Sequence, residues 1–244
     1  MKFKTRVEDF AVKLGLVQGI SERRATMPVL SHVLLNVAKN RIGISATDLE
    51  TTMSTWSTAE VLKEGALAVP ARKLYEIVKE LEGGDIEVEE IGNHWIEIKT
   101  SSAVFKIAGL PSDDFPIIPE LHSDHLFSVE SSLLEEMISK TIFAVSPDEL
   151  RRNLAGIYFE EAGSKSLRLV ATDGHRLSLV EKNIDSRVKF EKGFVVPKKG
   201  VAELRKVLKL TDKVRIGVGD SFFMAEGEDM VLVARLIDAD FPDY

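Results

Sequence analysis

Ser45-Ala46-Thr47-Asp48-Leu49-Glu50 returns as Val170-Ala171-Thr172-Asp173-Gly174-His175, 125 residues further along the chain. Two more stretches repeat in the same order. Val69-Pro70-Ala71-Arg72-Lys73 comes back as Val196-Pro197-Lys198-Lys199-Gly200 at a spacing of 127, and Asp114-Phe115-Pro116 as Asp240-Phe241-Pro242 at 126. A repeat of this size is a whole domain and not a solenoid turn. The 244 residues hold two such copies, each long enough to bury its own core. The join falls near Ile118-Pro119-Glu120-Leu121, before Phe127-Ser128-Val129 restarts the pattern of Phe3-Lys4-Thr5. Residues 1–120 and 121–244 are therefore expected to be two equivalent domains.

Each copy carries two short amphipathic helices. Phe10, Leu14 and Val17, then Leu74, Ile77, Val78 and Leu81, recur at helical spacing in the first copy. Leu134, Met137, Ile138 and Thr141, then Val201, Leu204 and Leu208, answer them in the second. Pro70 and Pro197 suit the first helical position, where a missing N–H has no intrahelical partner to lose. Between the helices lie strand-like segments: Val33–Val37, Ile86–Glu89, Trp95–Lys99 and Val104–Ile107, then Ile157–Phe159, Leu167–Val170, Val214–Val218 and Met230–Val233. Glu82-Gly83-Gly84-Asp85 and Ala162-Gly163-Ser164 read as turns. The expected fold class is α+β, with antiparallel sheets packed on helices.

Hydrophobic residues make up 44% of the chain and charged ones 29%, the balance of a globular protein in water. No apolar run approaches the roughly 18 residues of a membrane span, and Met1–Thr5 has no signal-peptide core, so a cytoplasmic protein is expected. The absence of cysteine excludes disulfides, thiol catalysis and thiolate metal sites. His32, His94, His122, His125 and His175 show no ligand spacing, so neither metal nor cofactor is expected. A net charge of −7 argues against a generally basic nucleic-acid binder and leaves room for a local basic surface.

Ala171-Thr172-Asp173-Gly174-His175-Arg176 is the most enzyme-like stretch. His175 as general base, with Asp173 and an anion-holding Arg176, is one reading, a hydrolase or phosphodiesterase. The first copy keeps Thr47-Asp48 yet has Leu49-Glu50 where Gly174-His175 stand, which favours turn chemistry, the carboxylate binding nearby backbone N–H groups. The helix from Lys198 gathers Lys198, Arg205 and Lys209 within about 40°, with Lys199 and Lys206 beside them and Glu203 interrupting. That face is either solvated or turned to nucleic-acid phosphates, and Arg23-Arg24, Arg72-Lys73 and Arg151-Arg152 extend it.

In order, Pro28-Val29-Leu30, Ala46–Glu50, Val69–Lys73, Ala171–Leu177, Val196–Gly200 and Phe241-Pro242-Asp243-Tyr244 resemble the bacterial DNA polymerase III beta subunit, the sliding-clamp family. The resemblance spans the whole chain. It implies tandem clamp domains and a non-enzymatic processivity factor. Family members have three domains per chain, and two chains close head to tail into a homodimeric ring around duplex DNA. This chain stops at Tyr244, where the linker to a third domain begins in the family.

By the same resemblance, Arg24, Arg72, Lys73, Arg151, Lys198 and Lys199 are expected to meet DNA phosphates without reading bases. Leu154, Thr172, Gly174, His175, Arg176, Leu177 and Pro242 match the family's cleft for a short peptide. That peptide is carried by the polymerase III alpha subunit, the clamp loader and repair proteins. Phe105 and Ile107 match positions that pack across the ring interface, the alternative being that both belong to the first domain's core.

Overall fold

The computed structural model describes the chain except residues 22–26, 119–125, 149, 189, 191 and 220. Two compact units result, Met1–Ile118 and Pro119–Tyr244. Each begins with a strand that runs straight into a helix. In β1 (Lys2–Arg6), Phe3 and Thr5 are buried while Lys2 and Lys4 face outward. The following α1 (Val7–Val17) buries Val7, Phe10, Leu14 and Val17, one stripe of a helix. Phe3 and Phe10 meet edge to face with centroids 5.9 Å apart. Burying either ring contributes about 1.5–3 kcal/mol.

The first unit continues with β2 (His32–Ala38), β3 (Arg41–Thr47), β4 (Thr51–Thr58), β5 (Glu60–Lys63), β6 (Gly65–Pro70), α2 (Ala71–Lys79), β7 (Asp85–Gly92), β8 (Trp95–Lys99), β9 (Val104–Ala108) and β10 (Leu110–Pro111). The strands form two antiparallel arrays, in the orders β5-β1-β7-β8-β9 and β10-β6-β2-β3-β4. Helix α1 touches β1 of one array and β3 and β4 of the other, and α2 packs on α1, β2 and β6. Two-residue turns with positive φ at Lys39-Asn40 and Asn93-His94 close the β2–β3 and β7–β8 hairpins. Their left-handed backbone matches the twist of the strands they join.

The second unit repeats the plan. Its elements are β11 (Phe127–Glu130), α3 (Ser131–Ser139), β12 (Gly156–Gly163), β13 (Ser166–Thr172), β14 (Leu177–Asn183), β15 (Phe194–Pro197), α4 (Lys198–Leu208), β16 (Lys213–Val218), β17 (Phe222–Glu226) and β18 (Met230–Arg235). The sheet orders are β14-β13-β12-β15 and β18-β17-β16-β11. Strands β3 and β13 have the same length and lie 125 apart at both ends. Helix α3 packs on β11 and β14, and α4 on β12, β15 and β18.

Both prolines sit one residue earlier than their expected position. Pro70 and Pro197 are N-caps and the last residues of β6 and β15, with φ of −52° and −56° and extended ψ of 111° and 148°. The ring fixes φ at a value that strand end and helix share, so ψ alone makes the corner. The strand β4, Thr-Thr-Met-Ser-Thr-Trp-Ser-Thr, has no apolar alternation to announce it; its threonines are largely buried nonetheless.

Candidate nucleic-acid and peptide surfaces

The repeated Thr-Asp pair builds the same turn twice. After β3, Thr47 Oγ1 accepts the Leu49 N–H at 3.1 Å, and Asp48 Oδ1 accepts the N–H groups of Glu50 at 3.0 Å and Thr51 at 2.6 Å. After β13, Thr172 Oγ1 accepts the Gly174 N–H at 3.0 Å, and Asp173 Oδ1 accepts those of His175 and Arg176, each at 3.0 Å. Both turns need a left-handed residue at their third position, supplied by Leu49 (φ 76°) and Gly174 (φ 87°). Glycine adopts that backbone freely and leucine at a cost.

The second turn is further tied down. Arg176 Nε donates to Asp173 Oδ2 at 3.0 Å, and its Nη2 donates to the Phe143 carbonyl at 2.8 Å. Its guanidinium also lies 5.7 Å over the Phe143 ring. Thr172 Oγ1 donates to the Arg176 carbonyl at 2.7 Å. The His175 and Arg176 amides hold the Asp173 carboxyl below its usual range, with the Arg176 guanidinium adding to the effect. Both carboxylate oxygens are thus engaged. The exposed His175 ring has no hydrogen-bond partner among the described residues.

The equivalent helices α2 and α4 open alike. Arg72 and Lys73 stand in the first turn of one, Lys198 and Lys199 in that of the other, and neither first turn has an acidic residue. Arg72, Lys73, Lys198 and Lys199 are all exposed. The positive end of each helix dipole disfavours cations there by about 0.3–1 kcal/mol apiece. The Lys198 N–H is already taken by the Ala155 carbonyl at 3.1 Å, so the anion attraction of these ends comes chiefly from the side-chain cations. Further along α4 the basic stripe is partly neutralised. Arg205 forks onto Glu135 of α3, with contacts of 3.0, 3.0 and 2.6 Å, and Lys206 pairs with the buried Glu203. Arg72 lies 2.6 Å from Glu76, both well exposed.

Residues 1–119 match the family model of the DNA polymerase III beta subunit N-terminal domain, and residues 128–243 that of its central domain. The beta sliding clamp of Pseudomonas aeruginosa is 36% identical over 249 residues, covering all of this chain and 67% of the relative. The chain belongs to the beta sliding clamp family. The Caulobacter vibrioides clamp is 35% identical over 95% of this chain and 64% of its own length, so the chain spans about two thirds of the relatives it matches. Among solved structures, Caulobacter crescentus pol III beta superposes with a TM-score of 0.92 at 35% identity, covering the whole chain and 68% of that structure. A sliding clamp from Bartonella birtlesii bound to griselimycin gives 0.93 at 34%, again over the whole chain and 67% of the other.

Of the residues assigned from resemblance to the beta sliding clamp family, Arg24 lies outside the described residues. Arg151 is half exposed, and its Nη1 donates to the Asp173 carbonyl at 3.4 Å, beside the Thr172–Arg176 turn. Thr172 and Leu177 face each other across β13 and β14. Leu177 is half exposed, whereas Leu154 is buried and can form only the floor of a surface. Pro242 is exposed, between Phe241, which stacks on Tyr158, and Tyr244. The pairing of Phe105 with Ile107 at the ring interface is corrected for Ile107, which is 1% exposed and belongs to the first unit's own core. Strand β9 does lie at a sheet edge, but its inward face carries Ile107 and the half-buried Phe105, and its outward face Val104, Lys106 and Ala108. Phe143 and Leu179 were not singled out by their sequence, yet both are exposed beside the turn or on β14. The Leu177-x-Leu179 alternation was the available signal for Leu179; Phe143, in a short 3₁₀ turn, offers none.

Proposed function

We propose that this chain acts as a DNA sliding clamp, a non-enzymatic processivity factor whose two units, residues 1–120 and 121–244, serve as its first and second clamp domains. The observation that carries the reading is the pair of basic helix starts, Arg72-Lys73 and Lys198-Lys199, on equivalent helices of a chain whose whole length aligns with about two thirds of a beta sliding clamp. Exposed cations at helix N-termini bind phosphates without reading bases, the property a protein needs in order to slide. The partners are duplex DNA of any sequence, the polymerase III alpha subunit, the clamp loader and other carriers of the clamp-binding motif. They act in the cytoplasm, with two chains closing a ring. Peptide contact falls to Leu177, Gly174, His175 and Pro242 over the floor of Leu154, framed by Thr172 and Arg176.

The turn supports a non-enzymatic role. Asp173 binds the His175 and Arg176 amides and the Arg176 guanidinium, a set of structural partners that does not include the His175 ring. The test is binding of the chain to labelled linear duplexes of two unrelated sequences across a salt series. Affinity should be weak, equal for both sequences and steeply salt-dependent. Lys198→Gln with Lys199→Gln should flatten the log–log slope by about 0.9 for each phosphate that is no longer neutralised. Preference for one duplex, or an affinity indifferent to salt, would sink the reading.

A further inference from the structure

The segment after β18 crosses the β14-β13-β12-β15 sheet and is fastened to it at three levels. Ile237 N–H donates to the Val195 carbonyl at 3.1 Å, beside the edge strand β15. Phe241 stacks on Tyr158 of β12, with centroids 4.7 Å apart and planes 8° from parallel. Tyr244 donates its hydroxyl to Glu160 of β12 and accepts from Arg168 Nη1 of β13 at 3.1 Å.

The last fastening joins a row of cross-strand neighbours. Glu160, Arg168 and Glu181 lie opposite one another on β12, β13 and β14. Arg168 binds Glu160 at 2.9 Å and Glu181 at 2.8 and 3.0 Å, and Ser166 Oγ donates to Glu181 at 2.9 Å. The Tyr244 hydroxyl fits this row because one guanidinium faces two carboxylates, which leaves acceptor capacity for a donor. The stack is equally built in. A Cβ on Gly193 would collide with the hydroxyl end of Tyr158, so a side-chain-free backbone abuts that end while Phe241 stacks on the ring.

Pro242 lies between the second and third fastenings. Tyr158 pairs with Val170, two residues before Thr172, which puts Phe241 about 7 Å along the strand from the level of the Thr172–Arg176 turn. We infer that Tyr244, Arg168, Glu160 and Tyr158 are positioning residues, a strap anchor that holds Pro242 in place for the peptide surface without touching the peptide. The inference rests on the peptide-binding reading above.

The test uses the whole chain and a peptide with a leading glutamine and a Leu-Phe end, titrated while the Gly174 and His175 amide signals are followed. Tyr244→Phe removes only the hydroxyl; Phe241→Leu with Tyr244→Phe also removes the stack. Upfield-shifted ring signals of Tyr158 report the fastening, and unchanged amides of Phe159 and Leu169 report an intact sheet. Release of the strap should weaken peptide binding by about fivefold, and the effect should disappear in a Pro242→Ala background. A released strap with unchanged affinity overturns the inference, as does an undiminished effect once Pro242 is alanine. Wild-type chain whose Gly174 and His175 signals ignore the peptide refutes the peptide reading itself.

Discussion

Replacing Ile107 by alanine separates a core role from an interface role. Its side chain is 1% exposed at an edge strand, packed inward on the face it shares with Phe105. The change deletes three carbons, about 0.8 kcal/mol each in transfer free energy, and leaves a cavity that the short strand closes only in part. We expect a loss of about 3 kcal/mol. Both tryptophans, Trp56 in β4 and Trp95 in β8, belong to the first unit, and Trp95 sits on the strand that pairs with β9. Tryptophan emission in urea therefore reads that unit alone, and with a slope of about 1.5 kcal/mol per molar the midpoint should fall by about 2 M. Phe105→Lys, at a half-buried site, should shift the midpoint far less. An unchanged midpoint for Ile107→Ala, with a change in light scattering instead, would return Ile107 to the interface and refute the core assignment.

The depressed Asp173 carboxyl contributes stability that is fully present above the ordinary carboxylate range and is lost as pH falls through the lower folded-state value. Asp173→Asn should therefore be less stable than wild type at neutral pH, with the gap narrowing as pH falls below the ordinary carboxylate range, as parallel denaturation curves will show. Gly174→Ala, forced to φ 87°, should destabilise the second unit by about 1 kcal/mol in the same experiment. Arg205→Lys exchanges a fork for a point charge and should cost about 0.5–1 kcal/mol, given that both partners are partly exposed. Arg72→Gln with Lys73→Gln should flatten the salt dependence of DNA binding in the same direction as the Lys198 and Lys199 changes.

Periodicity made the four helices and the apolar strands legible, because their buried stripes follow spacings of 3.6 and 2. The polar strand β4 stayed hidden for the opposite reason: Thr52, Thr55 and Ser57 are buried in a strand held by cross-strand hydroxyl contacts such as Thr47–Thr52 at 2.8 Å, which no hydropathy pattern records. Alternation also could not tell Ile107 from an interface residue, since both readings place it on the same face of β9. The basic helix starts could be read because they are adjacent in sequence. The partners that engage Arg205 and Arg151 could not, lying 70 and 22 residues away. Phe143 and Arg176, 33 apart, meet for the same reason: only the folded sheet brings them together.

The repeat itself separates architecture from recognition. Where both units keep a residue, its job is visible twice: Thr47 and Thr172 cap their turns, Asp48 and Asp173 bind the next two free amides, and Pro70 and Pro197 make the strand-to-helix corner. Such residues serve the fold, so the carboxylate that looked catalytic in one copy is explained by its twin. Where the units differ, geometry no longer demands the side chain. Leu49 tolerates a left-handed backbone that glycine would take without strain, which shows that the turn does not require Gly174. What glycine adds in the second unit is a bare, exposed turn beside Leu177, with Arg176 laid over Phe143. The first unit has Thr51 in place of Arg176, and Thr51 is buried. The second unit's turn thus presents an open, partly apolar surface on the same scaffold, the kind of surface the proposed peptide reading needs.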